Sequence, residues 1–283
     1  MKKALTILLI ILSLNFYSQS NYQWYTNKGE KVDFKLVAES CLQKDVTLFG
    51  ELHDNPIAHQ FQLEMGRYFF DKMGSKLAVG SEMFERHQVE FLEQYLKDGD
   101  VEKFKKSTEL WSNFQTDYYP LLSYCQQNKI PYYATNITRP YANLVFKYGQ
   151  DTLKTLKRSI IDNLCPLPFP MDTTGSQFKE LYKMGNEMGG KGLNFAAAQS
   201  VKDATMAWFI LQNFKDKSKF LHLNGSFHSD FYQSICFYLK YYKPSITFAT
   251  ISVVESKKIK KIKKENLAKA DFILVTVPTK REE

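Results

Sequence analysis

The 283-residue sequence contains no GxxxxGK[ST] phosphate loop, no Gly-x-Ser-x-Gly elbow and no His-Glu-x-x-His pattern. P-loop nucleotide chemistry, elbow-type serine hydrolysis and zincin catalysis therefore have no motif to rest on. Cysteine is scarce: Cys41, Cys125, Cys165 and Cys236 are widely spaced and form no Cys-x-x-Cys pair. That excludes a zinc knuckle and a thioredoxin-type redox motif. Four cysteines allow three full pairings, and a chain this long can bury a core without them, so no disulfide is assigned. There is also no internal repeat and no low-complexity linker.

Long apolar runs are nearly absent as well. The one candidate, Ala4 to Phe16, falls short of the ~20 residues that span a bilayer as a helix. It follows Met1-Lys2-Lys3 and precedes Tyr17-Ser18-Gln19-Ser20, the three parts of a secretory leader. Residues 1–20 are therefore read as a removed signal peptide, and residues 21–283 as one domain exported to the periplasm or cell envelope. The first cysteine is Cys41, so no lipoprotein cysteine is visible beside the leader.

A broad excess of one charge is missing too. The net charge is +8, but Lys2 and Lys3 lie in the leader, and Lys257, Lys258, Lys260, Lys261, Lys263 and Lys264 form one short run. The remainder is balanced. A nucleic-acid binder spreads basic residues over a face with aromatic partners, so this run reads as a solvated loop or edge, and no nucleic-acid partner is expected.

What the sequence does have is core material. It is 44% hydrophobic, with 17 Tyr and 22 Phe, which excludes disorder as the main state. Short apolar runs alternate with amphipathic stretches. Strands are expected at Val46 to Phe49, Leu77 to Gly80, Ile130 to Ala134, Phe220 to Leu223, Ile246 to Val254 and Phe272 to Val277. Helices are expected after Pro56, around Phe91 to Leu96, over Tyr119 to Gln127, after Pro140, over Asp203 to Phe214 and over Phe231 to Leu239. Residues Asn21 to Lys31 read as a polar lead-in. Such alternation predicts an α/β fold, a largely parallel central sheet flanked by helices, because parallel neighbours need helical crossovers. The stretch from about 152 to 192 has prolines and glycines but no strand pattern. It reads as an inserted helical and loop subdomain that could cover a site.

In an open parallel sheet, ligands bind at the carboxyl ends of the strands. Four expected strands end there in polar clusters: Gly50-Glu51-Leu52-His53, Gly80-Ser81-Glu82, Thr135-Asn136 and Asn224-Gly225-Ser226-Phe227-His228. Two of them share one spacing, Gly50 to His53 and Gly225 to His228, in which glycine permits a sharp turn and the histidine can point back over the edge. Imidazole and carboxylate together suit a divalent transition metal or acid–base work near neutral pH. Glu51, His53, Glu82 and His228 are therefore the candidate metal-binding or catalytic set. His59, His87 and His222 are assigned structural roles, and Asp54 and Asn55 are assigned to capping the helix that Pro56 opens.

Several segments in order carry a resemblance: Gly50 to Asp54, Ser81 to Glu85 with Gln88, Asp117-Tyr118-Tyr119-Pro120, and Ile130 to Asn136 with Arg139. Ala198-Gln199 with Asp203, Met206 and Ala207, and Gly225 to His228, complete the set. Together they resemble the ChaN-like haem-binding uptake proteins over about residues 40 to 277. These proteins group with the Tiki, TraB and erythromycin-esterase-like proteins. The resemblance implies an α/β sheet, export, and haem binding for iron acquisition. An outer-membrane receptor is a candidate partner, and a homodimer is one way to cover the flat face of haem. Haem needs apolar walls, an axial ligand and rim groups for its propionates. Within the matched segments Tyr118 is the candidate iron ligand, with Arg139 and Asn136 as further cofactor contacts. Tiki relatives imply a different reading, a metal-dependent hydrolase, peptidase or esterase, in which Glu51, His53, Glu82 and His228 would hold zinc or manganese and activate water. A structural envelope protein with a relic site is the third reading.

Overall fold

The computed structural model describes residues 21–214 and 218–279; the leader at 1–20, and with it the export reading, lies outside the described residues. Eight strands form one sheet: β1 Tyr22–Thr26, β2 Lys31–Val32, β3 Val46–Glu51, β4 Leu77–Glu85, β5 Tyr132–Asn136, β6 Lys219–Gly225, β7 Phe248–Glu255 and β8 Phe272–Thr276. Their order is β2-β1-β8-β7-β3-β6-β4-β5. Strands β3 to β8 pair parallel with one another, while β1 runs antiparallel to both β8 and β2. The expected α/β class and mostly parallel sheet are what the chain adopts.

Helices cover both faces. They are α1 Phe34–Leu42, α2 Pro56–Met73, α3 Val89–Asp98, α4 Val101–Ser107, α5 Tyr119–Gln127, α6 Arg139–Tyr148, α7 Arg158–Ile161, α8 Ser176–Glu187, α9 Gly192–Asn213 and α10 Ile235–Tyr242. One core layer joins the sheet to α1 through α5 with Val37, Phe61, Met65, Phe69, Leu92 and Leu121. A second layer, with Ala142, Val145, Val201, Ile210 and Leu239, joins the opposite face to α6, α9 and α10. Central β3 is consequently buried at all six residues, the pattern of a strand covered on both faces. All four cysteines are buried and free.

Three departures have identifiable causes. The expected lead-in is a strand pair: β1 zips onto β8 from Tyr22↔Thr276 to Thr26↔Phe272 and buries Trp24 and Tyr25, a long-range partner no local pattern reveals. The helix expected from Phe231 begins only at Ile235, because Phe231, Tyr232 and Ser234 have φ of 61°, 58° and 55°. Lys269 holds that turn, bonding Asp230 at 2.5 Å and accepting from the Phe231 amide at 2.7 Å. Helix α9 starts at Gly192, eleven residues before Asp203, carried by the buried alanines 196, 197 and 198. Between α6 and α9 the chain makes a 3-10 helix at Gln150–Thr155, then α7 and α8, and no strand.

Gly50 lies where three backbones crowd. A Cβ there would sit 2.7 Å from the Ile251 carbonyl oxygen and 2.9 Å from Ser226 Cα. Neither is the free end of a flexible side chain, so Gly50→Ala is expected to cost about 1–3 kcal/mol. The check is a lowered urea midpoint at unchanged slope.

Candidate functional site

Register assembles the site. Gly50 lies opposite Asn224 and Glu51 opposite Gly225 across β3 and β6, while β4 flanks β6 on its other side. The two glycine-to-histidine turns therefore leave the sheet side by side. His53 packs directly over Gly225: a Cβ at that glycine would meet His53 Nε2 at 2.9 Å and Glu82 Oε2 at 3.5 Å. Glycine is needed there for close approach.

Two hydrogen-bonded arms meet at this point. In the first, Glu51 Oε1 bonds His53 Nδ1 at 2.8 Å and accepts from the Tyr118 hydroxyl at 2.7 Å. Its other oxygen accepts from the Gln62 amide. His59 braces the same arm, with Nε2 3.0 Å from the His53 carbonyl oxygen and Nδ1 3.0 Å from Gln62 Oε1. Asn113 donates to the His53 carbonyl at 2.6 Å and to Asp117 at 2.8 Å. Burial opposes ionisation of Glu51, but the His53 hydrogen bond, the nearby imidazoles and Gln62 outweigh it, and its carboxyl titrates below the usual range. Burial would lower His53; the Glu51 hydrogen bond and the charges of Glu82 and Glu51 raise it instead.

In the second arm, His228 lies between two acids. Its Nδ1 is 2.5 Å from Asp203 Oδ1 and its Nε2 3.2 Å from Glu82 Oε1. Glu82 Oε2 also accepts from the Gly225 amide at 2.7 Å. All three side chains are buried. Desolvation pulls His228 down, yet Glu82 and Asp203 push it up to about 10. Burial opposes ionisation of Glu82 too, and His228, His53 and the Gly225 amide bring its carboxyl well below the ordinary range. For Asp203 burial prevails over His228, and its carboxyl is raised.

The four predicted residues do converge, as two satisfied pairs on either side of Gly225. They do not form a ligand sphere: among the described residues no three His, Cys, Asp or Glu side chains are placed to hold one metal ion. The physical reason is saturation, since the oxygens of Glu51 and Glu82 are already taken by imidazoles, Tyr118, Gln62 and a backbone amide.

A cavity of about 610 Å³ opens above the arms, lined by His53, Leu52, Trp111, Phe227 and His228 with Glu51 and Gly225 at its floor. The His53 side chain is 42% exposed, and its ring meets Trp111 edge-on at 4.8 Å. Tyr118, the expected iron ligand, is not on this wall. It is 2% exposed, and its hydroxyl is committed to Glu51; burial and that carboxylate push its ionisation well up. Asn136 lies behind Glu82, donating to its carbonyl at 3.1 Å. Arg139 is further off, in a neighbouring cavity of about 1070 Å³, where it pairs with Glu85 at 3.6 Å.

Sequence reasoning gives His59 only a structural role and assigns none to Gln62, Asn113, Trp111 or Asp203. His59 and Gln62 sit three apart on α2, on a turn that faces back to Glu51, and that spacing was the available signal. Of the two assigned caps, Asn55 accepts from the Ala58 amide at 3.0 Å, whereas Asp54 lines the cavity. His222 is a core residue, 2.8 Å from Thr135 Oγ1 and 3.1 Å from Asn224 Oδ1, and burial lowers it to about 4.

A family model described as haem-binding uptake, Tiki superfamily, ChaN, matches residues 37–239. Among solved structures, ChaN of Campylobacter jejuni, described for cofacial haem binding, superposes with a TM-score of 0.70 at 19% identity, covering 92% of this chain and 98% of that one. The type III effector HopBA1 gives 0.49 at 8% identity, covering 87% of this chain and 94% of that one. An erythromycin esterase, EreC, gives 0.47 at 13% identity, covering 92% and 84%. No curated protein matches the sequence.

Proposed function

Because the chain belongs to the ChaN family of haem-binding uptake proteins of the Tiki superfamily, we propose that it is an exported haem carrier of bacterial iron uptake. The porphyrin would sit in the cleft at the carboxyl edge of the sheet, with His53 as the side chain offered to iron. Haem, when bound, supplies an iron that takes an axial ligand and a flat apolar plate that seeks cover.

The residues of the cleft suit that group. Its volume of about 610 Å³ falls in the usual range for cofactor sites, and Leu52, Trp111 and Phe227 give apolar and aromatic walls. The observation that carries the reading is the setting of His53, half-exposed to this cleft with Nδ1 fixed by a carboxylate. A ring-bound carboxylate orients an imidazole and raises its basicity at the other nitrogen, the usual support for a metal-ligating histidine. The metal-dependent hydrolase gains no comparable support, since its carboxylates are already satisfied.

His53 would hold one face of a porphyrin, and by likeness to the cofacial binding described for the Campylobacter protein, a second haem and a second copy of this chain would cover the other. Titrating the mature protein with ferric haem should shift the Soret band to saturation, and sedimentation should show mass doubling with haem. An unshifted spectrum would refute the carrier; a shifted spectrum with unchanged mass would refute only the pairing.

A further inference from the structure

We propose that the lysine loop between β7 and β8 is the carboxylate-binding rim of this cleft, with Lys261 and Lys263 meeting the two propionates. The assignment rests on the haem reading above.

A second hollow, about 280 Å³, is lined by Lys261, Lys263 and Lys269. Leu52 and Ser226 line both this hollow and the main cleft. A ligand that crosses this ridge of two residues touches both. The loop is anchored: Ile259 is buried, Ile262 packs on the same small core beside Tyr25, and the Tyr25 hydroxyl donates to the Ile259 carbonyl at 2.7 Å. The lysines beside them are exposed but held next to the opening.

Charge decides which edge of a porphyrin faces this way. The floor of the cleft carries Glu51, with Glu82 behind it, and the neighbouring 1070 Å³ cavity carries Glu85 and Glu109, with Arg139 paired to Glu85. In both, the cations already face acids: His53 and His228 pair with Glu51 and Glu82, and Arg139 with Glu85, so neither offers, among the described residues, an uncommitted cation to a propionate. In the lysine hollow, Lys269 is held by Asp230 at 2.5 Å, and Glu255 accepts from Asn55 at 3.1 Å and from the Thr279 hydroxyl at 2.9 Å. Lys263 has only an exposed partner, Glu265 at 3.4 Å, and no acid among the described residues pairs with Lys261. These two ammonium groups are the ones available to a ligand. Arg139, the propionate partner expected from the sequence, lies on the acidic side.

The test titrates the mature protein and K261Q/K263Q with ferric haem and with haem dimethyl ester, whose propionates are neutral, both in dilute detergent. Two exposed charge pairs predict a roughly three- to tenfold loss of haem affinity, with the ester unaffected. K257Q/K258Q, at lysines that do not line the hollow, controls for net charge. Equal loss for both ligands, no loss, or the same loss in K257Q/K258Q would overturn the assignment. An unmodified protein that binds neither porphyrin would instead overturn the haem reading, and the assignment with it.

Discussion

His228→Ala is expected to lower unfolding free energy by about 3–5 kcal/mol, the usual cost of stranding a buried charge by removing its partner. The effect is large because two acids are stranded. Glu82 is 6% exposed and Asp203 3%, and each directs a carboxylate oxygen at the imidazole. The Gly225 amide would still serve Glu82, but Asp203 would keep no cation in contact. In the variant both carboxyls should take up protons at higher pH, so the gap from wild type should narrow on acidification. The wild-type pH profile follows by linkage. His228 is raised from 6.5 to about 10, so its contribution is fully present below about pH 6.5 and is lost as pH rises through 10. Glu82 is lowered, so its contribution is present above the ordinary carboxylate range and lost as pH falls through its folded value. Asp203, raised by burial, opposes Glu82. Stability should therefore peak in mildly acidic solution and decline from pH 7 to 10. Urea midpoints across that range check this. A flat profile, or a cost under 1 kcal/mol for His228→Ala, would show that the triad is not ionised as drawn.

The carboxyl-edge cluster was legible because it depends on only two local facts: where apolar runs stop, and which polar residues come next. Gly50 to His53 and Gly225 to His228 could be aligned without knowing that β3 and β6 are neighbours, yet that adjacency, Glu51↔Gly225, is what makes them one site. Side-chain direction was not legible. Tyr118 belongs to a matched segment and its hydroxyl does reach the site, but from below: the π-helical turn Phe114–Tyr118 aims it at Glu51 rather than at the cavity. Arg139 opens α6, and the Glu85 carboxylate takes both its backbone amide, at 2.8 Å, and its side chain. A helix N-terminus that gathers a carboxylate leaves that arginine little reason to reach the cleft. Trp111, a wall of both large cavities, had no signal at all, since it follows α4 in a stretch without periodicity.

His53→Ala is expected to abolish the ligand-dependent shift of the Soret band and to weaken haem binding by roughly a hundredfold or more. The estimate scales from the supporting shell: loss of an orienting partner of a metal-bound histidine costs about 10–100-fold, and loss of the ligand itself should exceed that. Glu51→Gln tests the shell directly. The amide keeps the shape but not the charge that draws the His53 Nδ1 proton, so a 10–100-fold loss with a perturbed band is expected. Tyr118→Phe should behave differently. It removes one hydrogen bond to a buried carboxylate, about 1.5–3 kcal/mol of stability, while Glu51 retains His53 and Gln62. Its haem spectrum should stay close to wild type. Free imidazole should restore part of the band in His53→Ala, because the truncation opens space over Gly225, where the ring stood. Should His53→Ala bind haem normally while Tyr118→Phe loses the band, iron ligation would belong to a tyrosinate freed from Glu51. The two arms would then have to rearrange on loading.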